Sequence, residues 1–221
     1  GQTSQGPLGP RCTVQGVVTG HFGTYDALAD AAGGARSGLM VFGVPLTLAA
    51  GRLVKLVGGV QEFFGETELS GIQSVFDGGT TAVPVPVMPL LGVLDHDGCD
   101  PSHGLDDAED YEGRLVRVAN GRVVLAAGLV TPPTNGFHVA NLAGTDTIFV
   151  SNFNGVLDPF VAPTLGAAVN VTGVLHYSSS SFRICPRSPA DVEQVAQLAH
   201  VLTVTTDGSG VVQRSPAGDT L

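Results

Sequence analysis

The sequence contains no tryptophan, a single lysine (Lys55) and only 14% charged residues over 221 positions. Its apolar stretches are short and are broken by Gly, Pro or polar residues, whereas a membrane-spanning helix needs about 20 consecutive apolar residues. We therefore expect no membrane insertion. The first four residues, Gly1 to Ser4, lack the charged start and apolar segment of a signal peptide, which is compatible with a mature, processed form.

Catalytic and metal-binding motifs are also missing from the sequence. The serines at 178–181 are not set in a GxSxG motif, and the six histidines show no HExxH spacing. The three cysteines, Cys12, Cys99 and Cys185, form no CxxC pair. They are compatible with one disulfide plus one free thiol, or with three reduced thiols. We predict that the chain is not an enzyme and has no resident cofactor.

The charge balance is acidic, with 20 Asp and Glu against 10 Lys and Arg and a net charge of −10. This argues against a general nucleic-acid binder, which normally presents a basic surface. Much of the negative charge lies between Asp95 and Glu112. Oxygen ligands on a flexible loop suit Ca²⁺, but the run lacks the full EF-hand pattern, and a solvated acidic linker is the favoured interpretation. The candidate calcium ligands are Asp95, Asp97, Asp100 and Asp106.

Glycine and proline are abundant, at 31 and 14 residues, and they separate short alternating apolar runs. This composition favours many short strands joined by turns. One long alternating strand with its hairpin, Gly51–Leu69, recurs 115 residues later as Gly166–Ile184. Such an internal repeat indicates a duplicated unit. The sequence therefore predicts an all-β fold made of two similar barrels in tandem.

The repeat also divides the chain into segments. Tyr25–Ala32 is compatible with a helical turn or a long loop. Ser188 followed by Pro189 is typical of a helix start. The predicted segments are an extended arm (1–10), barrel one (11–78), a Pro/Val and acidic linker (79–110), barrel two (111–187), a short helix (188–200) and a terminal strand pair (201–221).

Several of these pieces together resemble the OB-fold modules that accompany nuclease domains in bacterial secreted multidomain proteins. The resemblance rests on Val14–Val18, Gly38–Phe42, Tyr111–Val116, the two hairpins and Pro186–Val192. It implies two tandem OB-like barrels without catalytic residues. The tail, Leu202–Gly218, resembles the opening of a β-repeat of secreted bacterial proteins. Together these resemblances imply a secreted or cell-surface location in a bacterium.

Two functions follow as hypotheses. The first is a structural or adhesive module that self-associates, for example into fibres, or docks on other extracellular domains through an unpaired strand. The residues of that strand pair are Val201, Leu202, Val204, Val211 and Val212. The alternative is an OB-fold module that binds single-stranded nucleic acid or oligosaccharide beside an extracellular nuclease. Its candidate ligand-binding residues are Phe137, His138, Phe153, Tyr177, Arg183 and Arg187.

Overall fold

The computed structural model describes residues 9–44, 48–94, 108–125 and 135–195, and most of them lie in strands. The predicted all-β fold is confirmed, and the strands form two five-stranded barrels in tandem. Within these residues, no helix is both long enough and apolar enough to cross a membrane. The barrels share one strand order, as the internal repeat predicted.

Barrel one closes in the order β1-β2-β3-β5-β4, with a parallel β3–β5 pair and antiparallel pairs elsewhere. The expectation of a helical turn or loop over Tyr25–Ala32 was wrong, because residues 25–29 form a strand. Ala27, Leu28 and Ala29 are all buried, so this strand lacks the alternation that marks one exposed face. The strands are β1 (Arg11–Phe22), β2 (Tyr25–Ala29), β3 (Gly38–Phe42), β4 (Arg52–Phe63) and β5 (Glu66–Thr80).

Barrel two repeats this arrangement with a parallel β8–β10 pair, and an additional β9–β10 pairing closes its ring. A further strand, β11, is added to the edge of β9. The strands are β6 (Leu115–Val124), β7 (Gly136–Ala140), β8 (Thr147–Ser151), β9 (Ala168–Ser178), β10 (Ser181–Cys185) and β11 (Val192–Val195).

The duplicated hairpins are the clearest trace of the repeat. Phe64-Gly65 joins β4 to β5, and Ser179-Ser180 joins β9 to β10. All four residues have positive φ, between 53° and 94°. Two-residue turns with positive φ at both positions match the right-handed twist of the strands they connect. Gly is the usual residue there, so the side chains of Phe64, Ser179 and Ser180 occupy a backbone conformation that is unfavourable for them.

The two barrels pack against each other through a third apolar cluster, distinct from the core of each barrel. Phe22, Ala27 and Met40 of barrel one meet Leu115, Val174 and Cys185 of barrel two, and all six side chains are buried. Backbones also approach closely, since a Cβ added at Gly38 would lie 2.3 Å from the Glu112 carbonyl oxygen. Barrel two therefore covers the β2–β3 face of barrel one.

The connector and the region after β10 differ in part from expectation. The linker runs through an extended Pro/Val segment, where Val87 forms a parallel bridge to Val116, into a short helix α1 (Leu91–Leu94). The helix predicted over 188–200 was wrong in its described part, which holds a 3-10 turn at Pro189–Asp191 and then β11. The open edge of β9 offers this segment a full set of backbone hydrogen bonds, which outweighs its helical pattern.

Candidate functional site

Two of the predicted ligand-binding residues serve mainly to hold the fold together. Phe137 is 2% exposed in the core of barrel two, where its ring stacks on Phe160 at a centroid distance of 6.4 Å. Arg187 forms an ion pair with Asp191 at 2.7 Å, and its Nη1 also donates to the Thr19 carbonyl oxygen of barrel one. Arg187 thus links the barrels.

Two other predicted residues, His138 and Arg183, lie on the outer face of barrel two. Strand pairing places His138 beside Phe149, Phe149 beside Arg183, and Arg183 beside His176. The His138 and Phe149 ring centroids are 5.0 Å apart, and the Arg183 guanidinium carbon lies 5.8 Å from the Phe149 ring centre. This row of side chains crosses four strands and ends at the junction with barrel one.

The last two predicted residues, Phe153 and Tyr177, lie at that junction and line a cavity of about 450 Å³. We call it the inter-barrel cleft. Both duplicated hairpin turns reach it, because Phe64 and Ser179–Ser180 are among its lining residues. The complete lining is Tyr25, Phe63, Phe64, Glu66, Phe153, His176, Tyr177, Ser178, Ser179 and Ser180.

Aromatic rings from both barrels form the walls of the inter-barrel cleft. Phe63 and Phe64 meet edge to face at 4.8 Å, and Tyr25 and Phe153 lie 5.4 Å apart. Tyr177 closes one side, since a Cβ added at Gly65 would lie 2.6 Å from its ring. The volume of the inter-barrel cleft lies within the range of roughly 300–1,000 Å³ found for small-molecule sites, and aromatic walls are typical of such sites.

Besides its serine and tyrosine hydroxyls, the inter-barrel cleft has two polar side chains, Glu66 of β5 and His176 of β9. Both are buried, at 2% and 4% exposure, and Glu66 Oε2 lies 3.5 Å from His176 Nε2. Glu66 Oε1 and His176 Nδ1 are buried without a hydrogen-bond partner. Native proteins leave few buried polar atoms unsatisfied, so two beside one cavity single out the inter-barrel cleft as the strongest candidate site.

Burial controls the protonation of both groups. It raises the pKa of Glu66 to about 9, helped by the charges of Glu112 and Glu68. It lowers the pKa of His176 to about 4, in the same direction as the nearby charge of Arg183. Desolvation disfavours the charged form of each residue. Near neutral pH the carboxyl group is therefore protonated and the imidazole is neutral.

More carboxyl groups surround this pair. Burial raises the pKa of Glu112 to about 8, and it also raises the pKa of Glu68. The pKa of Tyr25 rises to about 12 through burial and through the charges of Glu68 and Glu66. The Glu112 carboxyl group accepts a hydrogen bond of 2.8 Å from the Thr67 backbone N–H, which ties the segment before β6 to β5. The junction is thus rich in carboxyl groups.

A second, larger cavity of about 520 Å³ lies on another side of the junction. Its lining includes Gln15, Asp30, Arg36, Glu109 and Glu112. Arg36 pairs with Asp110 at 3.0 Å, and Glu112 is bonded to Thr67. It offers neither the aromatic walls nor the unsatisfied buried atoms of the inter-barrel cleft, which is therefore the stronger candidate.

The predicted calcium ligands (Asp95, Asp97, Asp100 and Asp106) and the predicted assembly strands (Val201, Leu202, Val204, Val211 and Val212) lie outside the described residues. In the part that is described, no group of three or more His, Cys, Asp or Glu side chains is arranged to hold a metal ion. Cys12 and Cys185 carry free thiols, and burial raises the pKa of the Cys185 thiol.

Sequence reasoning missed Tyr25, Phe63, Phe64, Glu66 and His176 as site residues. One signal was present, because Phe64 occupies a two-residue hairpin turn where Asn or Gly is usual. Another was the spacing of Glu66 and Glu68, which places both carboxyl groups on one face of β5. Comparisons of the chain with protein-family models and with curated proteins found no match.

Proposed function

We propose that this chain is a non-catalytic binding module whose ligand occupies the inter-barrel cleft. The observation that carries the proposal is that Glu66 and His176, which line an aromatic-walled cavity, each have a buried polar atom without a hydrogen-bond partner, Oε1 and Nδ1. A ligand that hydrogen-bonds to them recovers the free energy lost on burying them unpaired, about 1–3 kcal/mol for each group.

A hydrolase function for the same residues is less well supported than ligand binding. Ser178–Ser180, His176 and Glu66 are the residue types of a catalytic triad, and all line the cleft. A triad needs a serine hydroxyl bonded to the imidazole and an ionised carboxylate behind it. Here His176 Nδ1 has no partner, and the high pKa of Glu66 keeps its carboxyl group protonated near neutral pH.

The nuclease-associated class suggested by the sequence stays part of this proposal. It favours a companion role beside a catalytic domain and a secreted or cell-surface location in a bacterium. It also makes single-stranded nucleic acid and oligosaccharide natural candidates as ligands. For nucleic acid, the row of His138, Phe149 and Arg183 offers stacking faces and a cation at the outer mouth of the junction.

Saturation-transfer NMR tests the proposal with three probes: a mixed-sequence single-stranded oligonucleotide, a neutral oligosaccharide and an arginine-containing peptide. We expect transfer to at least one probe, and its loss in Phe64→Ala, which removes one aromatic wall. Phe76→Ala is the matched control, because Phe76 is a 66% exposed phenylalanine at the far end of β5. Absence of transfer to all three probes, or equal transfer in both variants, would refute the proposal.

A second candidate function is self-association, favoured by two observations. β11 ends the sheet order, and three apolar side chains of the connector are exposed: Val85 at 84%, Met88 at 64% and Leu90 at 79%. An open strand edge can pair with a second copy of the chain.

Sedimentation velocity over a wide concentration range tests this candidate. We expect association that weakens when Val85 and Leu90 are both replaced by serine. Leu142→Ser is the control, because Leu142 is 83% exposed elsewhere on the molecule. A monomer at all concentrations would eliminate self-association.

A further inference from the structure

We propose that the inter-barrel cleft recognises an organic cation, a guanidinium or ammonium group, with Glu66 as its anionic partner. The inference rests on the proposed function and specifies its ligand class. It departs from the nucleic-acid and oligosaccharide ligands that the sequence suggests. Three independent features of the cleft support it: the geometry of Glu66, the aromatic walls and the distribution of charge.

Within the described residues, no Lys or Arg forms an ion pair with Glu66, and the charge of Arg183 acts on it only from a greater distance. Glu66 lines the cleft and its side chain is 2% exposed; the carboxyl group accepts a hydrogen bond from the Tyr177 backbone, while Oε1 is buried without a partner. The nearest side chain that could carry a positive charge against it is His176, at 3.5 Å, whose buried imidazole is neutral. A buried carboxylate is stable only when it is paired, so an ionised Glu66 needs a positive group from a ligand.

The walls suit the same group. Tyr25, Phe63, Phe64, Phe153 and Tyr177 present rings to the cavity from two barrels. The faces of aromatic rings attract cations, and a planar guanidinium can stack on a ring while it bonds to a carboxylate. These rings are tilted or edge to face relative to one another, so their faces point in different directions. Several aromatic rings that line the same cavity as a carboxyl group suit a cationic ligand.

The carboxyl groups around Glu66 disfavour an anionic ligand there. Arg183 is the cationic group near the site, and its Nη2 donates to the Ser178 carbonyl oxygen while its guanidinium lies over Phe149. Donors from Thr67 and Gln61 to the neighbouring carboxyl groups are neutral. The titratable groups that act on Glu66 are Tyr25 from β2, Glu68 from β5, Glu112 from the segment before β6, His176 from β9, and Arg183 and Cys185 from β10.

Cation binding must displace a proton from Glu66. The carboxyl O–H bond breaks, the proton passes to solvent, and the carboxylate that is formed pairs with the bound cation. Because the pKa of unliganded Glu66 is raised to about 9, the affinity rises with pH up to that value, by at most about tenfold per pH unit. An arginine side chain keeps its charge over this range, so the ligand adds no pH dependence of its own.

Isothermal titration of the full chain with N-acetyl-arginine amide is the direct test, with N-acetyl-citrulline amide as its uncharged isostere. We expect binding of the arginine compound only, strengthening from pH 7 to pH 9 with proton release. Glu66→Gln keeps the side-chain shape and is expected to weaken binding at least about tenfold, the effect of losing one charge-assisted hydrogen bond. Asp77→Asn removes a carboxylate at the far end of β5 and is expected to leave binding unchanged.

Circular dichroism of both variants confirms that each is folded before the titration is interpreted. Equal binding of the citrulline compound, or full arginine binding by Glu66→Gln, would overturn the inference. If a sugar or an oligonucleotide binds in a Phe64-dependent manner and the arginine compound does not, the binding function stands and the cation assignment falls. Parallel titrations with spermidine and with an arginine-containing peptide distinguish a free polyamine from a basic side chain of another protein.

Discussion

The two hairpin turns of the repeat have the same backbone and opposite chemistry. Phe64-Gly65 and Ser179-Ser180 are 115 residues apart, share positive φ and line one cleft. The first brings aromatic rings and precedes Glu66, whereas the second brings serines and follows His176. The scaffold of the repeat has been kept, and its side chains differ at the place where the two copies meet. That place is where we locate the binding function.

The same contrast holds for the outer faces. The β2–β3 face of barrel one is buried beneath barrel two, while the corresponding β7–β8 face carries the partly exposed residues His138 and Phe149. Barrel one cannot expose this face to an external ligand without separating from barrel two. The two copies therefore present different surfaces.

The largest expected change in stability comes from disrupting the apolar cluster shared by the two barrels. Phe22 is fully buried among residues of both barrels, 5.6 Å from the Phe153 ring. Phe22→Ala should lower the free energy of unfolding by about 3–5 kcal/mol. Calorimetry should show a single transition shifted to lower temperature, because the barrels share this cluster. The exposed Phe76→Ala should change stability by no more than about 0.5 kcal/mol. Two separate transitions, only one of them shifted, would show that the barrels unfold independently.

The dependence of stability on pH above 4.5 tests the buried carboxyl groups at the junction of the two barrels. The pKa values of Glu66 and Glu112, about 9 and about 8, lie above the usual value of 4.5, so the folded state holds protons that the unfolded state has lost. Stability should therefore fall as pH rises from 4.5 to 9, by up to about 1.4 kcal/mol per pH unit for each group. Glu66→Gln should flatten this slope in urea titrations at pH 6, 7 and 8. A slope unchanged by this substitution would contradict the assignment.

The dependence of stability on pH below 6.5 tests His176 of barrel two. We expect this effect to be smaller than the previous one, because it involves one group and not two. The pKa of His176 is lowered from 6.5 to about 4, so between these pH values the unfolded state binds a proton at this residue and the folded state does not. Considered alone, this group loses stability as pH falls from 6.5 to 4, by up to about 1.4 kcal/mol per unit. His176→Gln should remove that loss in the same urea titrations. A loss of stability of the same size in His176→Gln would contradict the assignment.

The sequence predicted the barrels far better than the cleft. Alternation in Arg52–Phe63 and Ala168–Ser178 revealed long strands and their duplication, because a strand with one buried face has a period of two. β2 was missed because barrel two buries its second face and so removes the alternation. The cleft was missed because its residues come from both barrels and meet only after docking. Glu66 stands directly after a hairpin turn, and the partners that it meets there, His176 and Tyr177, belong to barrel two.

The smallest expected change in stability comes from substitutions in the duplicated hairpin turns. Ser180 has φ 62°, so Ser180→Gly should relieve backbone strain and stabilise the fold by about 0.5–1 kcal/mol. Phe64 has φ 53°, and Phe64→Gly should give a similar gain in stability, yet it should also lose ligand binding with the aromatic wall. Urea titrations and the arginine titration measure the two effects separately. If Phe64→Gly stabilises the protein and binds the ligand fully, the unfavourable residue at this turn has no role in recognition. If binding is lost while stability rises, the unfavourable backbone conformation of Phe64 is retained because its aromatic ring is needed for ligand binding.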